Sequence, residues 1–277
     1  MTGGAPPHPR RLADVLENAA SQFAPALVSA AAFDLRSGEE GFVRAGERLH
    51  AASTMKLAVL AAAHALAAAG ELRLDDPMPV EDRFVSLADG SDFAVGDDGD
   101  EWTRARIGRA VPLRSLLERM IMVSGNLATN LVLGRVPPAR VSALCAELGA
   151  EVTVLRGVED AKAHARGLDN TATARGLLAL LRALAERRLP GSAEMLGLLE
   201  RAEPRDGIPA ALPIGTRVAH KPGRIAGHSH DAALVFPTGR PPYALVVLTR
   251  GFQDERAALG AIRAISRAVW DHLTRTA

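Results

Sequence analysis

The chain has 277 residues, a formal net charge of +1, 48% hydrophobic residues and only 4% aromatic ones. That length can bury a large core as one domain or two intimate lobes, filled mainly by alanine and leucine. The near-neutral balance implies neither a nucleic acid nor an anionic membrane as partner, and no run of about 18 apolar residues offers a membrane span. Cys145 is the single cysteine, so no internal disulfide is possible, and its apolar setting reads as a plain buried thiol.

Met1 to Arg11 is rich in Gly, Pro and Arg and lacks an apolar stretch, so it does not read as a signal peptide. As the sequence stands the protein is expected in the cytoplasm, or it is secreted or periplasmic with its export signal removed. Leu12 to Phe23 is predicted to be the first helix. Ala26 to Leu35 and Gly41 to Gly46 are predicted strands joined by a turn at Ser37-Gly38. A long apolar helix is expected from Ser53 to Ala69, ending at Gly70. Glu81 to Trp102, with the acidic run Asp97-Asp98-Gly99-Asp100-Glu101, reads as a solvated surface excursion, with a substrate-gating loop as the alternative. Helical periodicity returns at Leu113 to Val123, Leu127 to Leu133, Pro138 to Leu148, Thr173 to Arg188 and Ser192 to Ala202. Strands are expected at Thr216 to Gly223, Asp231 to Phe236 and Tyr243 to Arg250, then a last helix from Asp254 to Leu273.

Strands at both ends with helices between predict an α+β fold, an α/β sandwich. One antiparallel sheet would be built from both termini and flanked by the terminal helices. Residues 1–49 and 206–277 would form this lobe, with a mostly helical lobe, 50–205, inserted and a cleft between the two.

Lysine is rare here: three among 33 Lys+Arg. A buried lysine can lose its proton and act as a base, whereas arginine stays charged. Two of the three lie in short motifs, Ser53-Thr54-Met55-Lys56 and Lys221-Pro222-Gly223, and Ser124-Gly125-Asn126 lies between them. With 12 serines, four asparagines and 25 glycines, chance predicts about 0.13 S-x-x-K, about 0.17 S-x-N and about 0.27 K-x-G motifs. Each occurs once, in that order. Ser53 and Lys56 share a helix face at a positive N-terminus, and the apolar run after Lys56 predicts burial and a depressed pKa. That makes Ser53 a candidate nucleophile and Lys56 its base.

The motif set resembles the serine penicillin-recognising enzymes, with spacings closest to class A β-lactamases. The resemblance covers nearly the whole chain, including Gly70-Glu71-Leu72-Arg73-Leu74-Asp75-Asp76 and Leu168-Asp169-Asn170-Thr171-Ala172-Thr173-Ala174. It implies an acyl-enzyme on Ser53, proton relay by Ser124 to the leaving nitrogen, and substrate binding by Asn126, Lys221 and Gly223. The N–H groups of Ser53 and Arg224 would form the oxyanion hole. Glu159, 35 residues past Ser124, would activate the deacylating water, with Asp160 as its rival, and Asn130 would tether the loop carrying it.

The chain departs from the family at Gly125 (usually aspartate), Pro222 (usually threonine or serine), Ala163 (usually asparagine) and Ser229 (usually arginine). Arg156 stands three residues before Glu159, where the family has two. Arg256 or Arg224 is a candidate replacement for binding a substrate carboxylate. Pro222 also predicts an edge strand. His220, His228 and His230 alternate along strands, but no metal site and no cofactor is expected, and His64 is expected as a satisfied core histidine. The expected partner is a small β-lactam, amide or ester, bound by a monomer. The alternatives are a related peptidase, amidase or esterase, and a non-catalytic binder on the same fold.

Overall fold

The computed structural model describes residues 11–96 and 98–275. Nearly all of the Gly/Pro/Arg-rich start, and Asp97 of the acidic run, lie outside the described residues. In chain order, α1 (Leu12–Ser21) leads to β1 (Leu27–Asp34), β2 (Glu40–Val43) and the short β3 (Leu49–His50). A 3-10 turn, Ala52–Met55, runs directly into α2 (Lys56–Ala68). There follow β4 (Pro77–Pro79), β5 (Arg83–Val85), β6 (Asp92–Ala94), α3 (Glu101–Arg104), β7 (Ala110–Pro112), α4 (Leu113–Met122), α5 (Asn126–Leu133), α6 (Pro138–Glu147), β8 (Val152–Thr153), α7 (Ala161–Ala165), β9 (Thr171–Ala172), α8 (Ala174–Ala185) and α9 (Ser192–Glu200). A second 3-10 turn, Pro209–Ala211, precedes β10 (Arg217–Ile225), β11 (His228–Phe236), β12 (Tyr243–Arg250) and α10 (Glu255–Arg275).

The five-stranded sheet has the order β10-β11-β12-β1-β2 and is antiparallel at each junction. It joins the two ends of the sequence, as expected. Its strands are buried on both faces, which is why β1 and β12 read as continuous apolar runs rather than alternating ones. Successive residues still part company. Ala30, Ala32, Leu245 and Val247 face α1 and α10, whereas Ala31, Phe33, Val246 and Leu248 face the helices from the middle of the chain. β10 is an edge strand, so the missing N–H of Pro222 is tolerated there.

The first helix places Leu12, Leu16, Ala19 and Ala20 on the sheet, spaced as one helical face requires. By contrast, α2 is buried nearly all round, from Lys56 through His64. That is the central helix its apolar composition predicts. Two differences from expectation matter. The helix expected from Ser53 begins at Lys56, because residues 52–55 wind more tightly. The stretch from 81 to 102 is not a free solvated loop: β5 and β6 pair as a hairpin that packs on the loop around residue 160.

Candidate active site

Ser53 sits in the 3-10 turn that ends in Lys56, whose N–H donates back to Ser53 O and Thr54 O. Residues three apart are eclipsed in such a turn, so the two side chains stand one above the other. The turn is braced by histidines. His50 Nδ1 accepts from Ala52 N at 3.0 Å, and His230 Nε2 lies 2.9 Å from His50 O. His230 Nδ1 lies 3.1 Å from Thr249 N and 2.7 Å from Ser229 O, and burial pulls its pKa down to about 4.

Lys56 is fully buried. Its Nζ lies 2.6 Å from Ser124 O, 3.2 Å from Ser124 Oγ and 2.8 Å from Asn126 Oδ1. As an ammonium Nζ donates to all three oxygens; as a neutral amine it would donate to the two carbonyl oxygens and accept from the hydroxyl. Burial drives its pKa well below the ordinary value, aided by the charge of Lys221 and opposed by Asp98, Glu159 and Asp100.

Asn126 passes the contact on, because its Nδ2 donates to Glu159 Oε1 at 3.0 Å. Glu159 Oε2 accepts from Gly96 N at 2.8 Å. The loop bearing Glu159 is held from behind by Asn130, whose amide exchanges two bonds with the backbone of Val158, at 2.7 and 2.9 Å. Arg156 reaches Asp169 at 3.1 Å across the neck of the same loop. Asp160, the rival for the Glu159 role, is buried and committed elsewhere: it accepts from Ser86 Oγ, Leu87 N and Ala163 N. Ala163 is a core residue.

On the opposite wall, β10 presses against the 52–55 turn. A Cβ on Gly223 would lie 2.9 Å from both Ser53 N and Thr54 N, so only glycine permits this approach. Lys221 is fully buried, its Nζ donates to Pro222 O at 3.1 Å, and burial is the main reason its pKa falls to about 7. Arg224 lines the cleft beside Ser53, but its guanidinium is engaged by Asp206 and by Glu255, the latter at 2.8 Å. Arg256 is exposed on α10 and is not among the residues lining the cleft. The cleft itself, about 510 Å³, is lined by Ser53, Lys56, Asn126, Glu159 and Arg224, and also by His50, Arg156 and His164.

The remaining histidines have other settings. His220 is buried between Asp231 Oδ1, at 2.9 Å, and Ala202 O, at 3.1 Å. Among the described residues no three His, Cys, Asp or Glu side chains are grouped to hold a metal. His64 is a core residue as expected, but its Nε2 has no hydrogen-bond partner. Burial raises the Cys145 thiol to about 11. Sequence reasoning missed Gly96, Asp98 and Asp100 at the site. The acidic run was visible, but nothing local says which distant groups it meets.

The model of the "Beta-lactamase enzyme family" matches residues 10–273, and the chain belongs to that family. Solved structures agree on the fold. A β-lactamase from Xanthomonas campestris pv. campestris has a TM-score of 0.83 at 22% identity, over 95% of this chain and 99% of that one. PBP-A has a TM-score of 0.82 at 21% identity, over 98% of this chain and 100% of that one. An ancestral class A β-lactamase (GNCA) has a TM-score of 0.79 at 25% identity, over 94% and 99%. No curated protein matches the chain. The protein is thus a β-lactamase-like serine enzyme, a hydrolase by family.

Proposed function

We propose that the protein opens β-lactam rings through an acyl-enzyme on Ser53, in the manner of class A β-lactamases. One observation carries this reading: a buried lysine next to Ser53 meets both Ser124 and Asn126, and Asn126 meets Glu159. The neutral Lys56 amine takes the Ser53 hydroxyl proton as Oγ bonds to the lactam carbonyl carbon. The N–H groups of Ser53 and Arg224 face the oxyanion that forms. The C–N bond then breaks, and the nitrogen takes the Ser124 hydroxyl proton, which Lys56 replaces. Glu159 removes a proton from water as it attacks the ester, and Ser53 leaves with a proton. A point mutant of PBP-A, itself 23% identical to this chain, has been captured as an acyl-enzyme with penicillin G.

The test is intact-mass spectrometry over time with benzylpenicillin. The expected result is an adduct that forms and disappears. Ser53→Ala should abolish it without changing the circular dichroism, and a persisting adduct would remove Ser53 as nucleophile. Glu159→Gln should let the adduct form and then trap it. A mutant turning over at the parent rate would take Glu159 out of deacylation.

A second reading, a serine hydrolase of neutral amides or esters, is favoured by the leaving-group side of the cleft. Pro222 offers no hydroxyl there, and the Arg224 guanidinium is occupied by Asp206 and Glu255. No penicillin adduct, with Ser53-dependent release from a p-nitrophenyl ester, would select it.

A further inference from the structure

Gly125 occupies the middle of the Ser124-Gly125-Asn126 turn with φ −55° and ψ 121°. Any residue adopts that conformation, so the backbone gives no reason for glycine. Space does. A Cβ at position 125 would lie 2.5 Å from Asp100 Oδ2, 3.2 Å from its Cγ and 3.3 Å from its Cβ. The Asp100 side chain is fully buried and fixed. Oδ1 accepts from Arg119 Nε at 2.8 Å and Thr103 N at 3.3 Å, and Oδ2 accepts from Thr103 Oγ1 at 2.5 Å. Arg119 in turn accepts the Gly125 N–H on its carbonyl, at 3.2 Å. Two residues earlier, Asp98 Oδ2 accepts from the N–H groups of Asn126 and Leu127, amides of the first turn of α5 that have no partner within the helix. One short acidic segment therefore grips the turn on both sides.

What it grips is strained. Ser124 has φ +59°, a conformation non-glycine residues avoid, and in it both its carbonyl and its hydroxyl face Lys56 Nζ. We infer that Asp100 supplies from a different segment the carboxylate that position 125 lacks, and that it is a positioning residue holding Ser124 on Lys56. An aspartate at 125 would put its carboxyl group where that of Asp100 now lies, within reach of Arg119 and Thr103. Its kinetic readout rests on the acylation reading above, but its thermal readout does not.

The test is a four-protein cycle: parent, Asp100→Ala, Gly125→Asp and the double variant. Each is followed by thermal melting and by the rate of Ser53 labelling with a fluorescent penicillin. Asp100→Ala leaves Arg119 unpartnered, and Gly125→Asp forces two carboxylates into one space. Each single change should lower the melting temperature and slow labelling about tenfold or more. The double variant restores one carboxylate in one space and should recover both readouts to within about threefold of the parent rate. If Asp100→Ala does not fold alone, the double variant should fold. A double variant no better than its worse parent, in melting and in labelling, would overturn the inference. If the parent takes no penicillin, the acylation reading falls and the melting cycle still decides this one.

Asp100→Asn separates position from packing. Lys56, whose Nζ contacts Ser124 and Asn126, also feels the charges of Lys221, Asp98, Glu159 and Asp100. Removing one of the three carboxylates should move the rise of labelling with pH to lower pH. An unmoved profile would limit Asp100 to packing and overturn its action on the lysine.

Discussion

Among the described residues five non-glycine side chains have positive φ, and three of them, Ala52, Ser124 and Glu159, stand at the cleft. Strain concentrated there is sustained by surroundings that fix each residue from several directions: His50 at Ala52, the aspartates at Ser124 and Asn130 behind Glu159. Lys221 is a different kind of strained residue. Its pKa near 7 reflects burial first, opposed by Asp231 and reinforced by Arg224. An unfolded lysine titrates near about 10.4. Between those values the unfolded chain binds more protons, so this group makes the protein more stable as pH rises from about 7 to about 10. Below about pH 7 the whole burial penalty is present. Lys221→Met should therefore raise the unfolding free energy most at pH 6, by on the order of a few kcal/mol, with the gain shrinking toward pH 10. A methionine variant less stable than the parent at pH 6 would show that the buried ammonium is net stabilising.

At the level of elements, the site is a contact between an edge strand and a helix start. β10 can approach the 52–55 turn only because position 223 has no side chain. Gly223→Ala should cost about 1–3 kcal/mol in urea denaturation and slow labelling at Ser53 about tenfold or more, since either the turn or the strand must retreat. Labelling at the parent rate would mean that the strand yields without disturbing the nucleophile. Several of the elements around this contact were legible in the sequence. β12 matches its expected bounds, and α4, α5 and α8 differ at their ends by one to three residues. The motifs were legible because they are short and local. The 3-10 start was not, since a serine at an N-cap and a serine in a tighter turn have the same spacing. Two- and three-residue strands such as β3 and β8 carry no period to detect. The acidic run looked solvated because its partners, Asn126 and Arg119, lie 28 and 19 residues further along the chain from Asp98 and Asp100. Arg256 was placed by nearness to the last strands, and helical phase turned it outward.

Among the described residues two cores lie on opposite faces of one sheet, and each carries one tryptophan at its margin. Trp102 packs against the core of the central helices, and Trp270 against the core between the sheet and α1 and α10. The sheet residues of the two cores alternate along the same strands, so neither core can be lost while the other keeps its floor. Trp102→Phe and Trp270→Phe variants, each with one reporter, should show coincident urea midpoints once corrected for any shift in stability. Separate transitions would show that the central helices unfold independently of the sheet.

The β5–β6 hairpin changes how the loop bearing Glu159 can breathe. Ser86 and Leu87 bind Asp160, Lys162 binds Ser91 at 2.6 Å, Arg166 binds Ala88 O, and Gly96 binds Glu159 itself. Loop and hairpin therefore open as a single unit, at the combined free energy of both sets of bonds. Glu159, proposed above to activate water, is thereby tied to a segment that contributes no motif residue. Under the proposed mechanism, insertions or deletions at the hairpin tip would then retune deacylation without touching Ser53, leaving this surface free to diverge while Ser53 and Lys56 stay fixed.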